Sequence, residues 1–135
     1  MWEIKFRGKS VRDNGWVCGD LRQNHGGKTT ITYLGDGKYI TSDVDPETVG
    51  QYIGIHDDED ENELYEGDLI EMIYQEEKIV CSIEYCGGGY LLASDDFEDG
   101  FKWITDVTEN DGRFFWIPTA VKIGNMTDDR DRFCT

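Results

Sequence analysis

Apolar and polar residues alternate at the very start of the chain. Trp2, Ile4 and Phe6 interleave with Glu3, Lys5 and Arg7, which predicts a strand with one face in a core and a basic face outside. Gly8 and Asp13-Asn14-Gly15 then punctuate a short hairpin, because Asn-Gly accepts the positive φ of tight turns, and Trp16 to Leu21 is its return strand. After the polar loop Gln23 to Gly27, the β-branched run Thr29 to Leu34 predicts another strand. Gly35-Asp36-Gly37 turns it into Lys38 to Thr41. The first 43 residues therefore predict a small antiparallel meander.

The pattern changes between Val44 and Ile70. Asp45-Pro46-Glu47-Thr48 carries a helix-start signal, with Asp as N-cap and Pro at the first helical position, but Gly50 follows so closely that only one short turn fits. Gln51 to Ile55 has the content of a strand. Eight residues from His56 to Glu63 then supply six carboxylates and no base, after which Leu64-Tyr65-Glu66-Gly67-Asp68 turns the chain into the strand Leu69 to Tyr74. We read residues 44–63 as one segment.

Residues 64–126 read as short strands separated by close turns. Ile79 to Tyr85 follows the polar turn Gln75 to Lys78, and Gly87-Gly88-Gly89 breaks the chain before Tyr90 to Ala93. Phe101 to Val107, Phe114 to Ile117 and Thr119 to Ile123 continue the series. Such spacing predicts a small closed or nearly closed barrel, since closure removes aggregation-prone edges. The tail 127–135 is expected to form one helical turn capped by Thr127, or to fray. The fold class is thus mainly β, an antiparallel meander plus a small barrel, with one helical turn near Pro46.

Composition narrows the function classes. A net charge of −16 argues against any direct binding of nucleic acid through its phosphates. Residues 1–40 carry seven Lys/Arg against four Asp/Glu, a balance of +3, which leaves −19 for residues 41–135. No apolar run suits a membrane helix and the start is not a signal peptide, so no membrane partner and a cytoplasmic location are expected. Cys18, Cys81, Cys86 and Cys134 lack a metal or disulfide spacing and read as small buried apolar residues. Cys81 and Cys86 are five apart and would point to opposite faces of one strand.

The sequence VDPETVGQY, a Gly two residues later, an acidic loop, and YEGD before an apolar strand resemble the YopX family of small phage and prophage proteins. Ile4 to Lys9, Asn14 to Val17, Gly19-Asp20-Leu21 and Ile123-Gly124-Asn125 extend the likeness over nearly the whole chain. The resemblance implies a mainly β fold with an SH3-like barrel, here beginning at Tyr65-Glu66-Gly67-Asp68, and no assigned activity. This chain departs from the family pattern at Asp57 to Asn62, where the turn is one residue longer and lacks its Gly.

Candidate chemistry is sparse. An EF-hand loop needs a Gly at its sixth position and a Glu at its twelfth, and neither the Asp57 nor the Asp58 frame supplies them, so the loop reads as solvated and self-repelling rather than as a metal site. There is no nucleophile elbow, no His-x-x-x-His pair and no phosphate-cradling loop. No cofactor and no catalytic residue is expected. The candidate interaction residues are Asp45, Glu47, Tyr52, Tyr65, Glu66 and Asp68, as carboxylates and aromatics that could face a partner. The leading expectation is a non-enzymatic acidic module that binds an unidentified protein, host-encoded in one version, with homo-oligomerisation left open. The alternatives are a DNA mimic that occupies a host nucleic-acid-binding protein, and a metal-assisted hydrolase or nuclease built on Asp45, Glu47, Glu66 and Asp68.

Overall fold

The structure, a computed structural model, describes residues 3–58, 62–112 and 114–129. It is mainly β, and among the described residues the only helical elements are two 3-10 turns of three residues each. The chain divides into two compact units, Met1–Tyr52 and Ile53–Thr135.

In the first unit, β1 (Phe6–Lys9), β2 (Trp16–Gln23), β3 (Thr29–Gly35) and β4 (Lys38–Asp43) form the expected antiparallel meander, and the beginning of β5 (Gly50–His56) pairs with the other edge of β1. Ile31, Val44 and Tyr52 supply its buried apolar residues. Trp2 lies outside the described residues. Two expectations fail at the start of the chain. Ile4 is exposed before β1 begins. Arg7, expected in water, is buried: its guanidinium lies 4.8 Å from the centre of the Trp16 ring, so the indole face offers a cation–π contact to the charged head. The 10–15 loop is also longer than a two-residue hairpin, closed by the Ser10 N–H donating to the Gly15 carbonyl at 2.8 Å.

The predicted helical turn is present as the 3-10 turn Pro46–Thr48. Asp45 caps it by accepting from the Glu47 N–H at 3.0 Å. The turn is also tied to β1, since the Thr48 hydroxyl donates to the Asp45 carbonyl at 2.6 Å and accepts from the Lys9 N–H at 2.8 Å.

In the second unit, β7 (Asp68–Tyr74), β8 (Glu77–Cys86), β9 (Gly89–Ala93), β10 (Phe101–Trp103) and β13 (Val121–Asn125) form a five-stranded antiparallel sheet in the order β10-β9-β8-β7-β13. Among the described residues no ladder joins β10 to β13, so no closed barrel is found. Alternation sets the core face. Ile70 and Met72 on β7 and Ile79, Cys81 and Ile83 on β8 pack with Leu64, Leu92 and Ile117 in one cluster. The remainder of β5 pairs with β6 (Glu63–Tyr65) and, in parallel, with β12 (Phe115–Trp116), which itself pairs with β11 (Glu109–Asn110).

Three elements differ from those expected. Ile104–Asp106 is a 3-10 turn rather than the end of a strand, because burying Ile104 and satisfying its carbonyl with the Thr108 hydroxyl, at 2.6 Å, outweigh β propensity. The β7–β8 connection is a two-residue turn at Gln75-Glu76 rather than a four-residue one. At the end of the chain it is Asn125, not Thr127, that organises the single turn, accepting from the Asp128 N–H at 2.8 Å through its side chain and from the Asp129 N–H at 2.9 Å through its carbonyl. The rest of the expected tail, 130–135, lies outside the described residues, as does Cys134. Cys81 is buried as expected, but Cys18 and Cys86 are exposed.

Candidate functional site

The acidic segment after β5 is built differently from a solvated, self-repelling loop. Asp57 is 1% exposed. One carboxylate oxygen accepts from the Asn62 N–H at 2.8 Å, and the other from the Asn62 side-chain amide at 3.1 Å and from the Lys122 N–H at 3.0 Å. Asp58, though exposed, accepts from the Thr119 N–H at 2.7 Å while its own N–H donates to the Ala120 carbonyl at 2.8 Å. These two aspartates therefore tie the end of β5 to the 117–122 segment. Residues 59–61 of the expected loop lie outside the described residues.

Thr119 is drawn into this arrangement at a conformational cost. Its φ is +66°, a region that β-branched residues avoid, and it is held there by Asp58 on its N–H and by the Ile73 N–H donating to its hydroxyl at 2.9 Å.

Beside this junction lies a recess of about 250 Å³ lined by His56, Asp57, Asp58, Asp111, Phe114 and Trp116. The parallel pairing of Trp116 with His56 brings β12 alongside the end of β5, and the Ile117 N–H donates to the His56 carbonyl at 3.2 Å. The Phe114 ring meets the imidazole edge-on, with centroids 6.1 Å apart and planes at 81°. Asp111 is fixed in the β11–β12 turn, where its carboxylate accepts from the Phe114 N–H at 2.8 Å. The result is an aromatic-walled hollow with carboxylates around it.

The six residues singled out from sequence are placed as follows. Asp45 and Glu47 are exposed at the 3-10 turn of the first unit, and Tyr52 is buried at its end. In the second unit Tyr65, Glu66 and Asp68 share the turn between β6 and β7. Tyr65 and Asp68 are buried, and the Asp68 carboxylate accepts from the Tyr65 N–H at 2.7 Å and faces the Lys122 ammonium at 3.4 Å. Glu66 is half-buried, and removal from water raises its pKa above the usual carboxylate value; its charge in turn adds to the burial that raises the pKa of Tyr90.

Lys122 was not singled out from sequence, yet it joins the two clusters, giving its N–H to Asp57 and its ammonium to Asp68 and, at 3.4 Å, to the Glu63 carbonyl. An isolated Lys in a strand carries no local signal of this. Nor does the recess, whose lining comes from three separated stretches.

Among the described residues that line the recess there is no Ser, Thr, Cys or Lys, and the Asp57 carboxylate accepts from backbone and amide donors. Among the described residues no group of three or more His, Cys, Asp or Glu is placed to hold a metal ion, and no helix is long and apolar enough to cross a membrane.

A family model described as YopX protein matches residues 5–127, most of the chain. No curated protein matches it.

Proposed function

The chain belongs to the YopX family, and from that premise we propose that it is a phage-type, non-enzymatic interaction module that works in the cytoplasm of a bacterial host and binds a basic protein. One observation carries this reading. The buried aspartates, Asp57 and Asp68, serve as internal braces, while the excess of −19 over residues 41–135 is carried mostly by other acidic residues, many of them exposed. A field of that sign attracts cationic surfaces and repels phosphates.

Of the residues singled out from sequence, Asp45, Glu47 and Glu66 are the ones that reach solvent and can contribute to such a surface. The test is capture of partners from host lysate at low salt, followed by elution with rising salt. Release of basic proteins as salt screens the surface is the expected result. Partners held only by salt-insensitive contacts, or none, would refute it. Thermal unfolding with millimolar magnesium, manganese or calcium separates this reading from metal-assisted hydrolysis, since a metal bound by the native state must raise Tm; no shift is expected.

A further inference from the structure

We infer that the open edge of β10 is where the partner docks, adding an extended segment as an antiparallel strand that lays apolar residues on Phe101 and Trp103 and carries lysine or arginine at both ends. The inference deepens the reading above and rests on it.

The backbone comes first. β10 ends its sheet, with β9 on one side and, among the described residues, no ladder on the other. Hydrogen-bonded and non-bonded pairs alternate along an antiparallel ladder. The Ser94 N–H donates to the Gly100 carbonyl at 3.0 Å, so Phe101 and Trp103, on the alternate pairs that follow, turn their backbone groups away from β9. An added strand meets the Phe101 N–H and C=O and the Trp103 N–H there.

The side chains come second. Phe101 and Trp103 share one face of the sheet, are 38% and 40% exposed, and meet edge-to-face with ring centroids 5.6 Å apart. The indole lies against β9 where Gly89 has no side chain, since a Cβ there would stand 3.2 Å from the ring. That support holds the rings before anything binds and lowers the ordering cost of docking. β-Branched residues at alternate positions of an added strand pack on such rings.

Charge selects the occupant. The β9–β10 loop carries Asp95, Asp96, Glu98 and Asp99, all exposed, and Asp106 is exposed in the 3-10 turn that follows β10. The ion pairs seen among the described residues involve none of these five acids. Lys102, the one cation of β10, points to the opposite face, 5.3 Å from the centre of the Tyr74 ring and 5.7 Å from that of Phe97. Charge around a short edge strand is a barrier to pairing. Here it repels an acidic strand, including one from a second copy of this chain with its charge of −16, and attracts a strand with cationic ends.

The test uses the full chain and the peptide Lys-Lys-Val-Thr-Val-Lys-Lys at low salt, followed by calorimetry and by hydrogen exchange at the Phe101 and Trp103 amides. Two N-methylated forms keep the charge of the peptide. Methyl groups on both valine nitrogens block the bonds to β10, whereas one on the threonine nitrogen, which faces away, blocks none. The parent and the threonine-methylated peptide are expected to bind at about millimolar concentration and to slow exchange at both amides, and the valine-methylated form to bind at least about tenfold more weakly. Trp103→Ala, its folding verified by its amide spectrum, is expected to weaken binding of the parent about tenfold. Tyr39→Ala, at an exposed ring of the first unit, is expected to change it less than about twofold.

Equal affinity of the valine-methylated peptide, or binding that leaves exchange at Phe101 and Trp103 unchanged, would overturn the proposal and leave the chain a charge-driven binder without this docking edge. So would protection of both amides in a dimer of the free chain, detected by sedimentation, because the edge would then hold a second copy. If neither the peptides nor hexa-arginine binds at low salt, this inference and the function it rests on fall together.

Discussion

Asp57 shows what a single carboxylate contributes to this molecule. The two oxygens of this residue, itself 1% exposed, serve the Asn62 backbone and side chain and the Lys122 backbone, so truncation leaves those part-buried donors without their acceptor. Asp57→Ala is expected to lower the free energy of unfolding by about 3 kcal/mol, and Asp57→Asn by less, because the amide keeps one acceptor. Urea denaturation followed by Trp fluorescence measures both. A second prediction concerns Cys81. Burial foremost, with the charge of Asp96 adding to it, pushes its thiol up to about 12, so at pH 8 it holds essentially no thiolate. Brief alkylation of the native protein should label the exposed Cys18 and Cys86 and spare Cys81, which reacts only in denaturant. Peptide mass spectrometry reads the difference.

Glu66 adds a third residue whose environment fixes a sign. Its pKa is raised on folding, so the native state holds the proton more tightly than the unfolded chain. The native state is then favoured by this group at low pH and penalised as pH rises through the unfolded value towards the folded one. Glu66→Gln should therefore stabilise the protein at pH 7 relative to wild type, and the advantage should vanish below about pH 4. An advantage that persists into acid would mean that packing, not charge burial, is responsible.

At the scale of elements, two hairpin turns make an instructive pair. The β8–β9 turn is Gly87-Gly88, with φ of +61° and +89°, and glycine populates that region without steric cost. The β7–β8 turn at Gln75-Glu76 has φ of +51° and +69° with side chains present, where L-residues are strained. Glu76→Gly should stabilise the protein by about 1 kcal/mol, and Glu76→Gln, which removes the charge but keeps the strain, should give less. Denaturant midpoints of the two variants separate the contributions.

The same contrast explains what was legible beforehand. Glycine turns, the Asp45 cap and the alternation of β7 and β8 are local signals, and each is where the sequence places it. Gly19, noted only as part of a family likeness, has a reason that no local reading contains: a Cβ there would collide with the Thr32 carbonyl oxygen on β3. Arg7 under Trp16, Asp57 under Lys122, and the parallel pairing of Trp116 with His56 depend on partners far along the chain. A polar residue with a long-range partner looks, from its neighbours alone, like a polar residue in water. The recess could not be read for that reason, since its acids, its imidazole and its rings converge only through those pairings.

At the scale of the whole molecule, the charge of −16 acts on stability and on binding with opposite signs. The compact state crowds like charges that the unfolded chain spreads apart, so self-repulsion opposes folding. Salt shortens the reach of that repulsion, from roughly 30 Å at 0.01 M to about 8 Å at physiological ionic strength. Raising sodium chloride across this range should therefore move the urea midpoint upward. Attraction to a cationic partner is screened by the same ions, so affinity for hexa-arginine should fall over the same range. A protein held together mainly by surface ion pairs would lose stability with salt instead. Parallel denaturation and calorimetric titrations at the two salt concentrations decide between them, because only net repulsion makes the fold gain while its complexes weaken.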